Sequence, residues 1–255
     1  MSQQRGLLLL IICAVLSVSG GYASTIQEPA RQHASASYGA PALHMPSAPD
    51  DWLGGTGNWS NGADWSAGLP GSDSDVSINT GSDNVTLDTS SSINSLVLGG
   101  ATGSSMLTGD GNARTLAITG ALTVNQSGNL YLSVDTVTAG ASSTNLGSID
   151  LENRSSLQVN GNFNNSGALC AGCNGNNSSG NALIAGTLTN TGTMQLGYFN
   201  LDPYSSGYGS ATVGGLVNTG SINLTYGGIQ VNGNATNAGG ISPSIGVRDS
   251  RSVAT

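Results

Sequence analysis

Leu188-Thr189-Asn190-Thr191-Gly192-Thr193-Met194-Gln195-Leu196 carries the pattern that decides the fold. It reads apolar–polar–Asn–small–Gly–small–apolar–polar–apolar, and it returns. Phe163-Asn164-Asn165-Ser166-Gly167-Ala168-Leu169 precedes it, and Leu216-Val217-Asn218-Thr219-Gly220-Ser221-Ile222-Asn223-Leu224 follows. A further copy is Ala235-Thr236-Asn237-Ala238-Gly239-Gly240-Ile241. Looser copies stand at Asn145-Leu146-Gly147-Ser148-Ile149-Asp150-Leu151 and Gln126-Ser127-Gly128-Asn129-Leu130-Tyr131-Leu132. The turn therefore begins at 126, 145, 165, 190, 218 and 237, in steps of 19, 20, 25, 28 and 19 residues. A near-constant period with loop-sized excesses is the mark of a solenoid whose insertions fall on one side.

The residue types supply the mechanism. Asn and Gly accept the positive φ of tight turns, and Asn can bond its own backbone. Alternating apolar residues on either side send side chains into a narrow core. At a spacing of about 4.8 Å, six such rungs would run roughly 29 Å. Equivalent Asn side chains, stacked rung on rung, would bond along the column as a ladder. Asn145, Gly147, Asn165, Gly167, Asn190, Gly192, Asn218, Gly220, Asn237 and Gly239 are the turn residues of this scheme.

Outside the repeats the same short strands continue. Val76-Ser77-Ile78, Val85-Thr86-Leu87, Leu96-Val97-Leu98, Leu116-Ala117-Ile118 and Leu122-Thr123-Val124 alternate between Gly, Asn, Asp and Ser clusters. No stretch after the leader carries a helical apolar stripe. The chain reads as all-β, with solenoid repeats over 76–242 and a polar tail over 243–255. Residues 24–50, with Pro29, Pro41, Pro46 and Pro49, read as a flexible linker. His33 and His44 lie there as solvated residues.

Residues 1–23 have a charged head, an apolar run over Gly6 to Val18, and small residues ending at Gly21-Tyr22-Ala23. That order is a signal peptide, and its apolar run is too short for the roughly 20 residues of a membrane span. Cys13 follows the bulky Ile12, unlike a lipid-attachment site. The expected location is outside the cytoplasm, secreted or at the cell surface, with no integral membrane helix. The chain holds no lysine, 6 basic and 14 acidic residues, for a net charge of -8. This leaves no basic footprint for nucleic acid.

The segment 51–75 contains all three tryptophans: Trp52-Leu53-Gly54-Gly55-Thr56-Gly57-Asn58-Trp59-Ser60, then Trp65-Ser66-Ala67-Gly68-Leu69-Pro70-Gly71, then Asp75-Val76-Ser77-Ile78. It resembles the lead-in motif of bacterial autotransporter-like, β-strand-repeat exported proteins, closely over 52–98. The resemblance implies a right-handed parallel β-helix with a short irregular N-terminal cap, on a secreted or surface-exposed, often adhesin-like protein. The large translocating barrel usual in that family is not expected within these 255 residues, as in a truncated member or one exported by another route. Trp52, Trp59 and Trp65 are expected to cap the core end; a sugar-stacking platform is their functional alternative.

Candidate chemistry is sparse. Cys170-Ala171-Gly172-Cys173 sits at an insertion and reads as a disulfide staple, ahead of a redox or zinc role. Asp150, Glu152 and Arg154 alternate with Ile149 and Leu151 and should point outward, so a carbohydrate-active site is the rival function. Asp73, Asp75, Asp83 and Asp88 lack the calcium-binding nonapeptide repeat, and Asp110-Gly111 reads as a turn. Thr136-Val137-Thr138 and Thr187-Leu188-Thr189 invite an ice- or crystal-binding reading, but do not recur in register on every rung. The leading expectation is a non-enzymatic, cofactor-free solenoid in surface adhesion or envelope structure. Its ligand would be a surface, polysaccharide or protein, with self-association through the open end as a further expectation.

Overall fold

The computed structural model describes residues 49–174, 178–198 and 206–243. The expected signal peptide, the two histidines, nearly all the expected linker and the tail beyond Pro243 lie outside the described residues. What is described is a parallel β-solenoid whose only helical element is the 3-10 turn Gly62–Asp64.

Each rung contributes up to three strands, one per face. The first face stacks Pro49–Asp51, Asp75–Ile78, Ser95–Leu98, Leu122–Val124, Ser143–Asn145, Phe163–Asn165, residues 187–190, residues 215–218 and Ala235–Asn237. The second face is a sheet of nine strands, from Thr56–Asn58 to Gly240–Pro243. The third face runs from Ser91–Ile93 through Thr115–Ile118, Thr136–Ala139 and Ser155–Val159 to Gly227–Val231. Within Ser179–Asn190 and Tyr208–Asn218 the chain passes from the third face to the first as one strand, so these two faces form a single 14-stranded sheet. Every ladder is parallel.

Nine levels are stacked along the second face, where six repeats are legible in the sequence. The earlier levels escape the repeat because their turn lacks asparagine. Asn145 pairs with Val124, Val124 with Leu98 and Leu98 with Ile78, so one column changes from apolar to Asn at the fifth level. Gln126, expected to open a copy of the turn, instead lies inside a turn two residues longer: three residues separate Val124 from Gly128, and one separates Asn145 from Gly147. Three insertions lie at one corner, between the second and third faces: residues 110–114, and those joining Ala171 to Ser179 and Leu196 to Tyr208. The turn from the first face to the second also varies, with residues 99–103 between Leu98 and Ser104.

From Asn145 onward the amides form the ladder. Nδ2 of Asn145 donates to Oδ1 of Asn165 at 2.8 Å, Asn165 to Asn190 at 2.7 Å, Asn190 to Asn218 at 2.8 Å and Asn218 to Asn237 at 2.7 Å. The second hydrogen of each amide reaches a backbone carbonyl one rung on: Ala168, Thr193, Ser221 and Gly240 respectively. The main-chain oxygen of Asn145 accepts from Ser166 and Gly167, at 2.8 and 3.0 Å. Asn145, Asn165, Asn190 and Asn218 are buried, so these bonds replace water completely.

The paired glycines work differently from the sequence expectation. Gly147, Gly167, Gly192, Gly220 and Gly239 are absent from the left-handed region, so positive φ does not select them. A Cβ on any of them would collide with the carbonyl oxygen of the glycine one rung below. Close axial stacking excludes a side chain at this column.

Inside, the register aligns apolar columns such as Val85, Leu107, Leu130, Ile149, Leu169, Met194 and Ile222, all fully buried. Each such side chain contributes about 1.5–3 kcal/mol. Trp52, Trp59 and Trp65 occupy the N-terminal end of this core, 1%, 0% and 3% exposed. Trp65 meets Trp52 and Trp59 edge-on, with ring centroids 4.9 Å apart in both pairs, and its Nε1 donates to Trp59 O at 2.9 Å. The strand before Trp52 pairs with Asp75–Ser77, so the tryptophans belong to the first level itself. Gly57 admits the Trp52 ring; a Cβ there would lie 2.9 Å from it.

Asn190→Ala strands buried groups on both neighbouring rungs and should cost about 1–3 kcal/mol in denaturant unfolding. Asn237→Ala, at an exposed end of the ladder, should stay within about 0.5 kcal/mol. Equal losses at the two sites would contradict an internally satisfied ladder.

Candidate functional site

Two regions offer chemistry: the corner that carries the insertions, and the outward surface of the large sheet. At the corner, Cys170 and Cys173 are joined as a disulfide with Cα atoms 5.9 Å apart. The disulfide holds the start of the 172–178 insertion over Glu152. Glu152 is 1% exposed, and its carboxylate accepts from Cys173 N at 3.0 Å, Asn174 N at 3.2 Å and Ser178 Oγ. The expectation that Asp150, Glu152 and Arg154 face outward together is corrected by this arrangement. Asn153 and Arg154 adopt left-handed backbone, with φ of 51° and 74°, and the alternation breaks just after Ile149–Leu151. Glu152 turns into the protein, Arg154 stays exposed on the corner, and Asp150 alone keeps the outward position.

Neighbouring carboxylates are likewise committed to protein donors. Asp135 is buried and accepts from Arg114 N at 3.2 Å and Ser133 N at 3.1 Å; its desolvation pushes the carboxyl above the usual range. Asp110 and Arg114 form a two-pronged ion pair, at 3.3 and 2.7 Å, within the turn expected at Asp110-Gly111. That pairing holds the Asp110 carboxyl far below the usual carboxylate range. Asp83 accepts from Thr80 and Gly81 amides and from the Thr80 and Ser105 hydroxyls, Asp88 from Ser60, and Asp75 from Asn94 and Ser95. Among the described residues, no three His, Cys, Asp or Glu side chains are placed to hold a metal ion.

Tyrosines border the corner. Tyr131 sits one rung below Asp150 in register, and burial first, then Glu152 and Asp150, raise its phenol above the usual range. Tyr208 is 55% exposed and packs edge-on against Tyr226 with centroids 5.9 Å apart.

The large sheet has the opposite character. From Thr115 onward, the described residues contain only four charged side chains: Asp135, Asp150, Glu152 and Arg154. All four belong to the second face or its corner, so the first and third faces are charge-free over this span. On the first face one outward column reads Thr123, Thr144, Asn164, Thr189, Val217, Thr236. On the third face the outward columns are Thr115, Thr136, Ser156, Asn181, Ser210 and Ala117, Thr138, Gln158, Leu183, Thr212. The two threonine triplets singled out in the sequence lie on different faces, Thr136–Thr138 on the third and Thr187–Thr189 on the first. The register of Thr123, Thr144, Thr189 and Thr236 is hidden in the sequence by unequal rung lengths. The absence of charge is plain in the sequence once the strands are known to share one surface.

No family model, curated protein or solved structure matches this chain.

Burial, then the Glu152 charge, raise the Asp150 carboxyl above its usual range. The folded protein therefore binds that proton more tightly than the unfolded chain, and the ionised carboxylate costs stability as pH rises. Asp150→Asn should raise the thermal midpoint at pH 7, with the gain fading as pH falls toward about 4. A gain unchanged between these pH values would contradict the assignment.

Proposed function

We propose that this chain is an exported, non-enzymatic solenoid of the autotransporter-like kind that acts in adhesion or in envelope or matrix structure. The observation that carries this reading is the charge-free double face of hydroxyl and amide side chains, repeated in register over successive rungs. Such a surface makes many weak, similar contacts with an extended partner, and multivalency turns them into firm attachment. Among the described residues charge is concentrated on the N-terminal rungs and the insertion corner, which leaves the double face neutral from Thr115 onward.

The signal-peptide pattern of residues 1–23 and the lead-in motif of 52–98 support export. The disulfide fits an oxidising compartment. The buried, fully bonded state of Glu152 weighs against the rival in which Asp150, Glu152 and Arg154 cut a polysaccharide.

The purified chain should bind whole bacterial cells or extracted matrix, with retention changing less than about twofold as salt rises through the range that collapses the Debye length from about 10 to 3 Å. It should release no sugar reducing ends or unsaturated products from polysaccharides. Steady turnover that Glu152→Gln abolishes, while the variant stays folded, would establish the enzyme instead.

A further inference from the structure

At the passage from the third face to the first, the surface of the large sheet is recessed into a groove that follows the solenoid axis. Four successive levels line it, with Asn162 from one, Gly186 and Thr187 from the next, Gly215 from the third, and Asn234 and Thr236 from the last. The ladders set these in register. Phe163 pairs with Leu188, Thr187 with Gly215, and Leu216 with Ala235, so Asn162, Thr187, Gly215 and Asn234 occupy one column. Gly215 keeps the groove open: a Cβ there would come within 3.0 Å of Thr187 Oγ1. Thr187 N donates to Asn162 Oδ1 at 2.9 Å, which holds that amide by its oxygen and leaves its N–H pair to donate.

We propose that this groove binds a neutral, extended, β-linked glycan laid along the axis, one sugar ring per rung. The inference rests on the adhesion reading and names its ligand class. Three properties of the groove select that class. Its length is periodic, with a rung spacing of about 4.8 Å, close to the rise of one sugar in an extended β-(1→4) chain. Its polar side chains are amides and hydroxyls, which donate to and accept from sugar hydroxyls alike, and Ala185, Leu216 and Val217 add apolar surface for the C–H faces of the rings. It has no charged lining residue, so nothing compensates the desolvation of an anionic or cationic polymer. The lining residues named include no aromatic platform, so each sugar adds little and the chain is held by the number of rungs it crosses.

Calorimetric titration of the full chain with cello- and N-acetylchito-oligosaccharides of one to six sugars tests this. Affinity should climb with each added sugar up to about four, the number of levels lining the groove, and then level off. Gly215→Val fills the groove, and the pair Asn162→Ala with Asn234→Ala removes its amides. Each should weaken cellohexaose binding at least about tenfold with the thermal midpoint retained. Thr138→Ala, outward on the third face, should change nothing. Should Gly215→Val fail to fold, the paired variant carries the test, because Asn162 and Asn234 are exposed.

Length-independent binding, preference for an anionic chain such as polygalacturonate, or shaping of ice crystals without sugar binding would each overturn the proposal. Groove variants that adhere to cells like wild type would overturn the groove and leave the adhesion reading standing. A wild-type chain that adheres to no surface would overturn that reading itself.

Discussion

Stacking at the parallel-strand spacing is the constraint on which everything else in this molecule depends. From Asn145 onward each rung sits on the last through a turn of one shape linking the first and second faces. The Asn column enforces that shape with two amide hydrogens per rung, one to the next amide and one to the next main chain. The glycine column permits it by keeping every Cβ out of the carbonyl beneath. A buried amide ladder is stable only when each member is satisfied, so the two columns must be continuous or absent. Below the fifth level the Asn column is absent, and Val124, Leu98 and Ile78 pack in its place, while the glycine column extends one level further to Gly128.

From Asn145 onward the turn between the first and second faces is fixed, and the long insertions fall at another corner. The insertions at 110–114, between Ala171 and Ser179 and between Leu196 and Tyr208 fall between the second and third faces, and that corner holds the disulfide and the buried carboxylates Asp135 and Glu152. Glu152 shows how a carboxylate is tolerated there: it accepts two main-chain amides and a hydroxyl, and so ties Cys173, Asn174 and Ser178 to the rung. The first and third faces, freed from insertions, become one uninterrupted surface. From Thr115 onward its side chains are small or medium, uncharged and periodic, a combination suited to lying against another repetitive polymer.

Much of the fold is legible in the sequence because two residue types recur where the backbone allows no others. The repeats at 145, 165, 190, 218 and 237 coincide with the observed pairing, and the strands around Val76, Val85, Leu96, Leu116 and Leu122 are all present. The first levels are silent because Leu and Val at the ladder position look like any strand residue. The reason for the glycines was also hidden, since contact with a neighbouring rung has no local signature. Glu152 misled for a related cause: alternation counts residues along a straight strand, and left-handed backbone at Asn153 and Arg154 ends that strand. The groove at Gly215 depends on three rungs of 25, 28 and 19 residues coming into register, which no local pattern encodes.

On the proposed reading, contact with the partner falls on the charge-free double face. Hydroxyl-radical footprinting of the chain, free and attached to its surface, tests this directly, because exposed aliphatic and aromatic side chains report each region. Leu183 on the third face and Val217 on the first are 40% and 38% exposed; Leu146, in the turn leading to the second face, and Tyr198, at the insertion corner, are 44% and 39% exposed. Attachment should protect Leu183 and Val217 and leave Leu146 and Tyr198 as reactive as in the free protein. Protection of Tyr198 with Leu183 and Val217 unchanged would move the contact to the insertion corner and contradict the account.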